Sequence, residues 1–381
     1  MRVLHTSDWH VGKQLRGRSR LDEHRAVLDE IAGIAARERA EIILVVGDLF
    51  ESMAPPADAV AVVWDALLAL RETGAHVVVV GGNHDQQAQL ESVAPVFERL
   101  GITVLGLPAE RKRAVVRVGD AQIVMLPWVS QRWAVRSEQL MGASAAETVQ
   151  YYAARIARLL EWLCAGFSVD TANIVAAHCM VRGGRLGGGE RDAQLIDEYA
   201  VPSAAFPAAA NYVALGHLHR MQRIDGAAPI WYSGSPIQVD FGEEHDVKHV
   251  LLADIPDHGA TKVTPVPLTR GWTLRTVRGS LADLDAFART SGDAWLRVEV
   301  RERPRPGLAD DVRTLLPRAI DVLVRPPTNE RVESEHHMER TGSPRELFGA
   351  YLESVNRAPD KQLLALFDEL LDESTEPAEA S

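Results

Sequence analysis

Apolar and polar positions follow two rhythms along this chain, and the switches between them outline its elements. Short apolar runs rich in β-branched residues, at Val3-Leu4, 42–46, 77–80, 174–177 and 212–215, read as buried strands. Between them, Leu21, His24, Leu28, Ile31, Ile34 and Ala35 form one helical stripe over 21–40. Val60, Val63, Trp64, Leu67, Leu68 and Leu70 form another over 57–72. Strand and helix alternate in this way to about residue 106, which is the pattern of α/β layering. Gly119-Asp120 divides two strands over 114–126, a hairpin signal. A helix follows through Tyr151, Ile156, Leu159, Leu160 and Leu163, and after His178 the strands become short and hairpin-like to about Val266. The expected fold class is α/β, with two sheets flanked by helices over 1–268.

Near residue 270 the rhythm changes. Strands at 272–277, 295–300 and 320–324 enclose helices at 281–290 and 308–316, which predicts a small α+β domain over 269–326. Residues 327–342 are polar and read as a linker. Ser343-Pro344-Arg345-Glu346 then starts a helix, with Ser as N-cap, Pro in the first turn and Glu three residues on. Leu347, Phe348, Tyr351, Leu352 and Val355 form its apolar face, and a second helix carries Leu363, Leu364, Leu366, Phe367, Leu370 and Leu371. These faces, over 343–381, either pack on the body or lie in the groove of a partner. The segment 376–381 is expected to fray.

Each strand delivers chemistry at its end. Asp8-Trp9-His10 follows the first, Gly47-Asp48 the second, Gly82-Asn83-His84-Asp85 the third, His178 the fourth and Gly216-His217-Leu218-His219 the fifth. Binding sites in α/β sheets lie at the carboxyl ends of strands, so these pieces can share one rim. The donors are oxygen and imidazole with no thiolate, which favours Mn²⁺, Fe²⁺ or Zn²⁺ in a catalytic rather than a structural role. A carboxylate such as Asp48 can bridge two cations, and two cations about 3.5–4 Å apart activate water and clamp a phosphate oxygen. His84, next to a ligand, is placed to serve as a general acid.

The strings His5-Thr6-Ser7-Asp8-Trp9-His10-Val11-Gly12, Gly47-Asp48-Leu49-Phe50, Gly82-Asn83-His84-Asp85, Gly216-His217-Leu218-His219 and Ser233-Gly234-Ser235-Pro236 resemble the calcineurin-like metallophosphoesterase superfamily. Within it they resemble the SbcD family, nuclease subunits that work with the SbcC ATPase on DNA ends. The resemblance runs along most of the chain and is strongest to about residue 250. It implies a metallophosphoesterase sandwich with a capping domain. It implies Asp8, His10, Asp48 and His219 on one metal, and Asp48, Asn83, His178 and His217 on the second, with Mn²⁺ as the ion. It makes His84 the catalytic histidine and puts Asp85 behind the ligands. It also implies 3′→5′ exonuclease action on duplex ends, endonuclease action on hairpins or single strands, a homodimer, and C-terminal helices that bind the coiled coil of the SbcC-type ATPase. Archaeal relatives carry a histidine where Glu51 stands, so the role of Glu51 is open.

Composition changes this picture little. The chain has 381 residues, 46% apolar and 25% charged, enough for a large core. A net charge of −12 does not advertise nucleic-acid binding, but local patches decide that question. Lys13, Arg16, Arg18, Arg20 and Arg25 form a basic stretch after the first motif, fit either for DNA phosphates or for a solvated loop. Arg182-Gly183-Gly184-Arg185-Leu186-Gly187-Gly188-Gly189 is a Gly/Arg loop, open between a strand contact and a loop without order; it lacks the P-loop pattern, so nucleotide triphosphate binding falls to a partner. His5 is expected behind the ligands or in the core. His24, His76, His245, His249, His258, His336 and His337 are expected at the surface. The two cysteines, the absence of an export signal and the absence of a membrane-length apolar run predict a cytoplasmic, reduced protein with no membrane association. Two rivals stay open: a small-substrate metallophosphoesterase (a cyclic-nucleotide phosphodiesterase or phosphatase), and a non-catalytic scaffold for DNA ends.

Overall fold

The computed structural model describes residues 1–130, 145–188, 200–288, 294–326, 348, 352 and 363–367. Residues Met1–Pro326 form one compact unit and Pro327–Ser381 a second.

Two six-stranded sheets face each other in the first unit. One runs β14 (Lys262–Pro267), β13 (His249–Asp254), β1 (Arg2–Thr6), β4 (Ile42–Val46), β5 (His76–Val80), β6 (Ile102–Leu105). The other runs β11 (Gln222–Ile224), β12 (Ile230–Tyr232), β10 (Tyr212–Gly216), β9 (Ala172–His178), β8 (Ala121–Leu126), β7 (Val115–Val118). Period-two alternation sorts β4 between two cores. Ile42, Leu44 and Val46 enter the core between the sheets, whereas Ile43 and Val45 face helices α1 (Leu21–Arg37), α2 (Ala57–Glu72) and α3 (Gln87–Arg99). The helix Ala145–Cys164 covers the second sheet through Tyr152, Ile156, Leu160 and Leu163. Both α1 and α2 start where the stripes predict.

The strands that matter for chemistry are parallel neighbours. β1, β4 and β5 run parallel, as do β8, β9, β10 and β12, so their carboxyl ends share a rim. This corrects the hairpin expectation after His178 in part. β10 and β12 are parallel partners inside the sheet, whereas β11 with β12 and β13 with β14 pair as antiparallel hairpins, as expected, among the described residues. The run 212–215 is fully buried, which suits a parallel strand covered on both faces. The hairpin across Gly119 forms as expected, between β7 and β8.

The post-270 segment makes a parallel sheet of β15 (Leu274–Gly279), β16 (Trp295–Arg301) and β17 (Ala319–Arg325) with helices Leu281–Ala288 and Leu308–Leu315. It has its own core of Val277, Leu284, Leu296, Val298, Val300 and Val312. A ribbon of β2 (Gln14–Leu15) and β3 (Arg18–Ser19) ties it to the body. Leu15, Phe241 and Leu274 pack with Trp295 and Ile320, Arg16 Nε donates to Asp321 Oδ2 at 2.8 Å, and the Arg18 guanidinium lies 5.2 Å from the Trp295 ring centre. Arg20 is buried, forked onto Glu23 at 2.7 Å and bonded to the Gln238 carbonyl. Within the basic stretch Arg20 is therefore buried and is not a DNA contact, whereas Arg16, Arg18 and Arg25 remain exposed. In the second unit Phe348 and Phe367 stack with ring centres 4.3 Å apart, and 348, 352 and 363–367 are helical; the expected linker, His336-His337, and the rest of 343–381 lie outside the described residues.

Candidate metal centre

All eight residues singled out in the sequence meet where the rims of the two sheets oppose each other. Asp8, His10, Asp48, Asn83, His84, His178, His217 and His219 are all buried. Ligating atoms of Asp8, His10 and His219 lie within 4.8 Å of one another, as do those of Asp48, His178 and His217, and those of His10, Asp48 and His84. The loops reach this point by backbone conformations that side chains disfavour: Asp8 has φ 53°, His10 49°, Asp48 50° and His217 112°. The close approach needs glycine. A Cβ on Gly47 would overlap the His178 ring, and one on Gly82 would overlap the Asp48 carboxylate and backbone.

Hydrogen bonds fix which nitrogen each ring offers. His178 Nδ1–H donates to the Val46 carbonyl at 2.9 Å, so in the neutral ring Nε2 carries the lone pair. That Nε2 faces Asn83 Oδ1 at 2.9 Å and Asp48 Oδ2 at 3.4 Å. His219 Nδ1–H donates to Glu243 Oε1 at 2.9 Å, leaving its Nε2 lone pair 3.0 Å from His10 Nε2. His10 Nδ1 stands 3.1 Å from Glu51 Oε2, so the tautomer that suits the carboxylate also turns a lone pair to the same point. Asn83 Oδ1 also lies 2.9 Å from His217 Nδ1, while His217 Nε2 is buried with no hydrogen-bond partner. Carboxylates, an amide oxygen and lone-pair nitrogens thus converge with few donors among them. Divalent cations would satisfy this set, and the residues fit them.

The electrostatics agree. Burial lowers the pKa of His10 to about 4 and of His217 to about 3, which keeps both neutral as ligands must be. Burial also lifts Asp8 to about 6, helped by the nearby Asp48 charge. Burial opposes ionisation of Asp48 too, but His178 outweighs it and holds Asp48 well below its usual range; Asp48 in turn raises His178 to about 9 against its own burial. A cation bound between Asp48 and His178 would take over that role of the proton.

Supporting residues complete the site, several of them invisible in the sequence pattern. Glu51 gains a role: its carbonyl accepts His84 Nδ1–H at 2.8 Å, and its carboxylate lies between His10 and Lys13 Nζ, 3.0 Å away. His84 N–H donates to Asp48 Oδ1 at 2.8 Å. Asp85 accepts from Gly82 N at 2.8 Å and Phe50 N at 3.1 Å, stapling two ligand loops together. Ser7 Oγ bonds Asp8 Oδ2 at 2.5 Å and Ser233 Oγ at 2.8 Å. Glu243, which holds His219, also accepts Lys248 Nζ at 2.6 Å and Val239 N at 3.0 Å. Trp128 stacks on the His217 ring at 5.0 Å. The Ser233-Gly234-Ser235-Pro236 string was a signal for this region; nothing in the sequence singles out Glu243 or Lys248.

The remaining histidines are partly as expected. His5 is buried and satisfied, 2.9 Å from Tyr212 Oη and 3.1 Å from the Leu215 carbonyl, bridging the two sheets. His24 is buried rather than at the surface, because α1 turns it inward beside Arg20 and Glu23. His76 and His249 are half-buried, whereas His245 and His258 are exposed. Cys164 and Cys179 are buried free thiols, which burial pushes up to about 12. No helix among the described residues is long and apolar enough to cross a membrane.

Residues 1–221 match the model of the calcineurin-like phosphoesterase family. The chain is 30% identical over 381 residues to the SbcD subunit of the SbcCD nuclease of Bacillus subtilis, covering 97% of each protein. It is 33% identical over 287 residues to the SbcD subunit of Rhodobacter capsulatus, covering 70% of this chain and 69% of that one. Against the SbcD subunit of Escherichia coli K12 it is 30% identical over 316 residues, covering 79% and 78%.

Proposed function

The chain belongs to the SbcD family of calcineurin-like phosphoesterases, and from that membership we propose how its site serves a nuclease subunit of the SbcCD type. It is a metal-dependent phosphodiesterase. We assign Mn²⁺ as the ion, held at one position by Asp8, His10, Asp48 and His219 and at the other by Asp48, Asn83, His178 and His217. Bound there, the two cations would activate water and neutralise charge on the phosphate. His84 acts from Nε2, giving a proton to the departing 3′ oxygen. Its Nδ1–H, fixed on the Glu51 carbonyl, keeps Nε2 aimed outward. Glu243 turns His219, and the Val46 carbonyl turns His178. The single observation that carries this reading is the convergence of lone pairs and carboxylates from five strand ends on one buried point.

The finer assignments follow the family. The substrate is DNA, cut by 3′→5′ exonuclease action on duplex ends and by endonuclease action on hairpins or single strands. Residues 269–326 form the capping domain. Helices within 343–381 bind an SbcC-type coiled-coil ATPase that gates duplex cleavage, and the protein works as a homodimer in the cytoplasm. The test uses the full chain with Mn²⁺ or with chelator, on labelled hairpin DNA, single-stranded DNA and bis-p-nitrophenyl phosphate, with His84→Ala beside it. DNA cleavage that needs both Mn²⁺ and His84 supports the reading. Turnover of the small diester without DNA cleavage, even with the cognate ATPase present, overturns it in favour of a small-substrate enzyme.

A further inference from the structure

An open cleft of about 490 Å³ lies on the second sheet's rim, lined by Arg182, Arg185, Arg220 and Arg223 with Gly183, Met221, Gln222, Ile224 and Asp225. Four arginines around one cleft stand out in a chain of net charge −12. All four are exposed, and only Arg220 has an ion pair among the described residues, to Asp246 at 3.4 Å. The topology explains the gathering. β9 ends at His178 and its parallel neighbour β10 at Gly216, so the loops leaving them rise side by side, one carrying Arg182 and Arg185, the other His219 and Arg220. Gln222 then clamps the first loop: the Arg185 N–H donates to Gln222 Oε1 at 2.7 Å, and Gln222 Nε2 donates to the Arg185 carbonyl at 2.7 Å. A neighbouring cavity of about 200 Å³, lined by His219, Ser233 and Lys248, shares Arg220 and Met221 with the cleft. Arg220 therefore stands one residue from His219, and the cleft adjoins the cavity that His219 lines.

We propose that this arginine cleft binds the phosphodiester backbone of the nucleic-acid strand next to the scissile phosphate, with Arg182, Arg185, Arg220 and Arg223 as its phosphate contacts and Gln222 as the residue that positions two of them. Guanidinium forks match phosphate oxygens without reading base sequence, as a nuclease acting on any end requires. In the basic stretch after the first motif, Arg20 is buried on Glu23, and Arg16 and Arg18 turn toward Asp321 and Trp295 of the post-270 sheet. The inference rests on the nuclease reading above.

The test measures binding of a labelled single strand to the full chain by fluorescence anisotropy, in chelator so that nothing is cut, across a salt series. Each lost phosphate contact lowers the slope of log affinity against log salt by about 0.7 for single strands. R182Q/R223Q should lower the slope by about 1.4 and weaken binding roughly 10-fold or more at moderate salt. Gln222→Ala should weaken binding with its melting temperature held, because only the clamp is lost. R99Q/R117Q removes equal charge from exposed positions elsewhere and should leave the slope unchanged. A wild-type chain that binds the strand, with R182Q/R223Q showing the wild-type slope, overturns the cleft assignment alone. A wild-type chain that neither binds nor cuts any DNA overturns the nuclease reading and the cleft with it.

Discussion

Removing the Glu243 carboxylate tests how the site is held from behind. Glu243 is fully buried and accepts four hydrogen bonds: His219 Nδ1 at 2.9 Å, Lys248 Nζ at 2.6 Å, Val239 N at 3.0 Å and Ser235 Oγ at 3.3 Å. Burial opposes its charge, but Lys248 and His219 outweigh burial and hold its pKa well below the usual carboxylate range. Glu243→Ala leaves the Lys248 ammonium, itself 8% exposed, without its counter-charge. Breaking a buried pair from one side costs about 3–5 kcal/mol. With an unfolding entropy of about 2.1 cal/mol/K per residue, the Met1–Pro326 unit loses roughly 4–7 °C of Tm. The same change frees the His219 ring, and loss of a partner behind a ligand costs about 10–100-fold in metal affinity. Thermal melts in chelator read the first effect, and calorimetric titration with Mn²⁺ reads the second. Glu243→Leu with Lys248→Met removes the orphaned charge and should recover most of the melting temperature but not the metal affinity. A Glu243→Ala chain that melts within about 1 °C of wild type, with unchanged Mn²⁺ affinity, would refute the reasoning.

Three further outcomes are expected. Gly82→Ala should abolish Mn²⁺ binding, because the added methyl meets Asp48; calorimetry that finds wild-type affinity would show that the loop can move aside. Glu51 has its pKa lowered to about 2: burial resists its charge, but His10 and Lys13 prevail. Its folded pKa lies below its unfolded one, so its contribution is present above about pH 4.3 and is lost as pH falls toward 2; Glu51→Gln should flatten the acid limb of the stability curve there, and an unchanged limb would exclude the linkage. Mn²⁺ at about 100 times its dissociation constant should add about 2.7 kcal/mol of stability for one site, read as a rise in Tm that chelator reverses, and no rise at saturating metal would contradict a metal cradle.

The residues that converge on the candidate metal centre were legible in the sequence because each stands where a short apolar run meets a glycine or a turn, and that pairing of burial with chemistry is local. What supports them was not legible. Glu243 sits in Phe241-Gly242-Glu243-Glu244, which has the composition of an exposed acidic turn; only the fold brings His219 and Lys248 against it. Within the basic stretch, the burial of Arg20 on Glu23 and the pairing of Arg16 with Asp321, 305 residues away, were not legible either. His24 fell on the apolar stripe of α1, and the stripe was the better guide than the polarity of imidazole. The departure at Glu51 is resolved by backbone rather than side chain, since the group holding His84 is a carbonyl that any residue supplies. The parallel pairing of β10 and β12 could not be read from short runs, whose length looks the same in a hairpin.

The left-handed backbone at Asp8, His10, Asp48 and His217 has a consequence for how this protein tolerates change. Each such residue costs about 1–3 kcal/mol, and four together rival the whole net stability of an ordinary fold, about 5–15 kcal/mol. Glycine would relax all four. Selection for heat resistance alone would therefore drift toward glycine at these positions and erase the catalyst while improving the scaffold. Degenerate descendants of this lineage should be recognisable by that trade: robust sandwiches with glycine where the buried Asp and His side chains of the candidate site once stood.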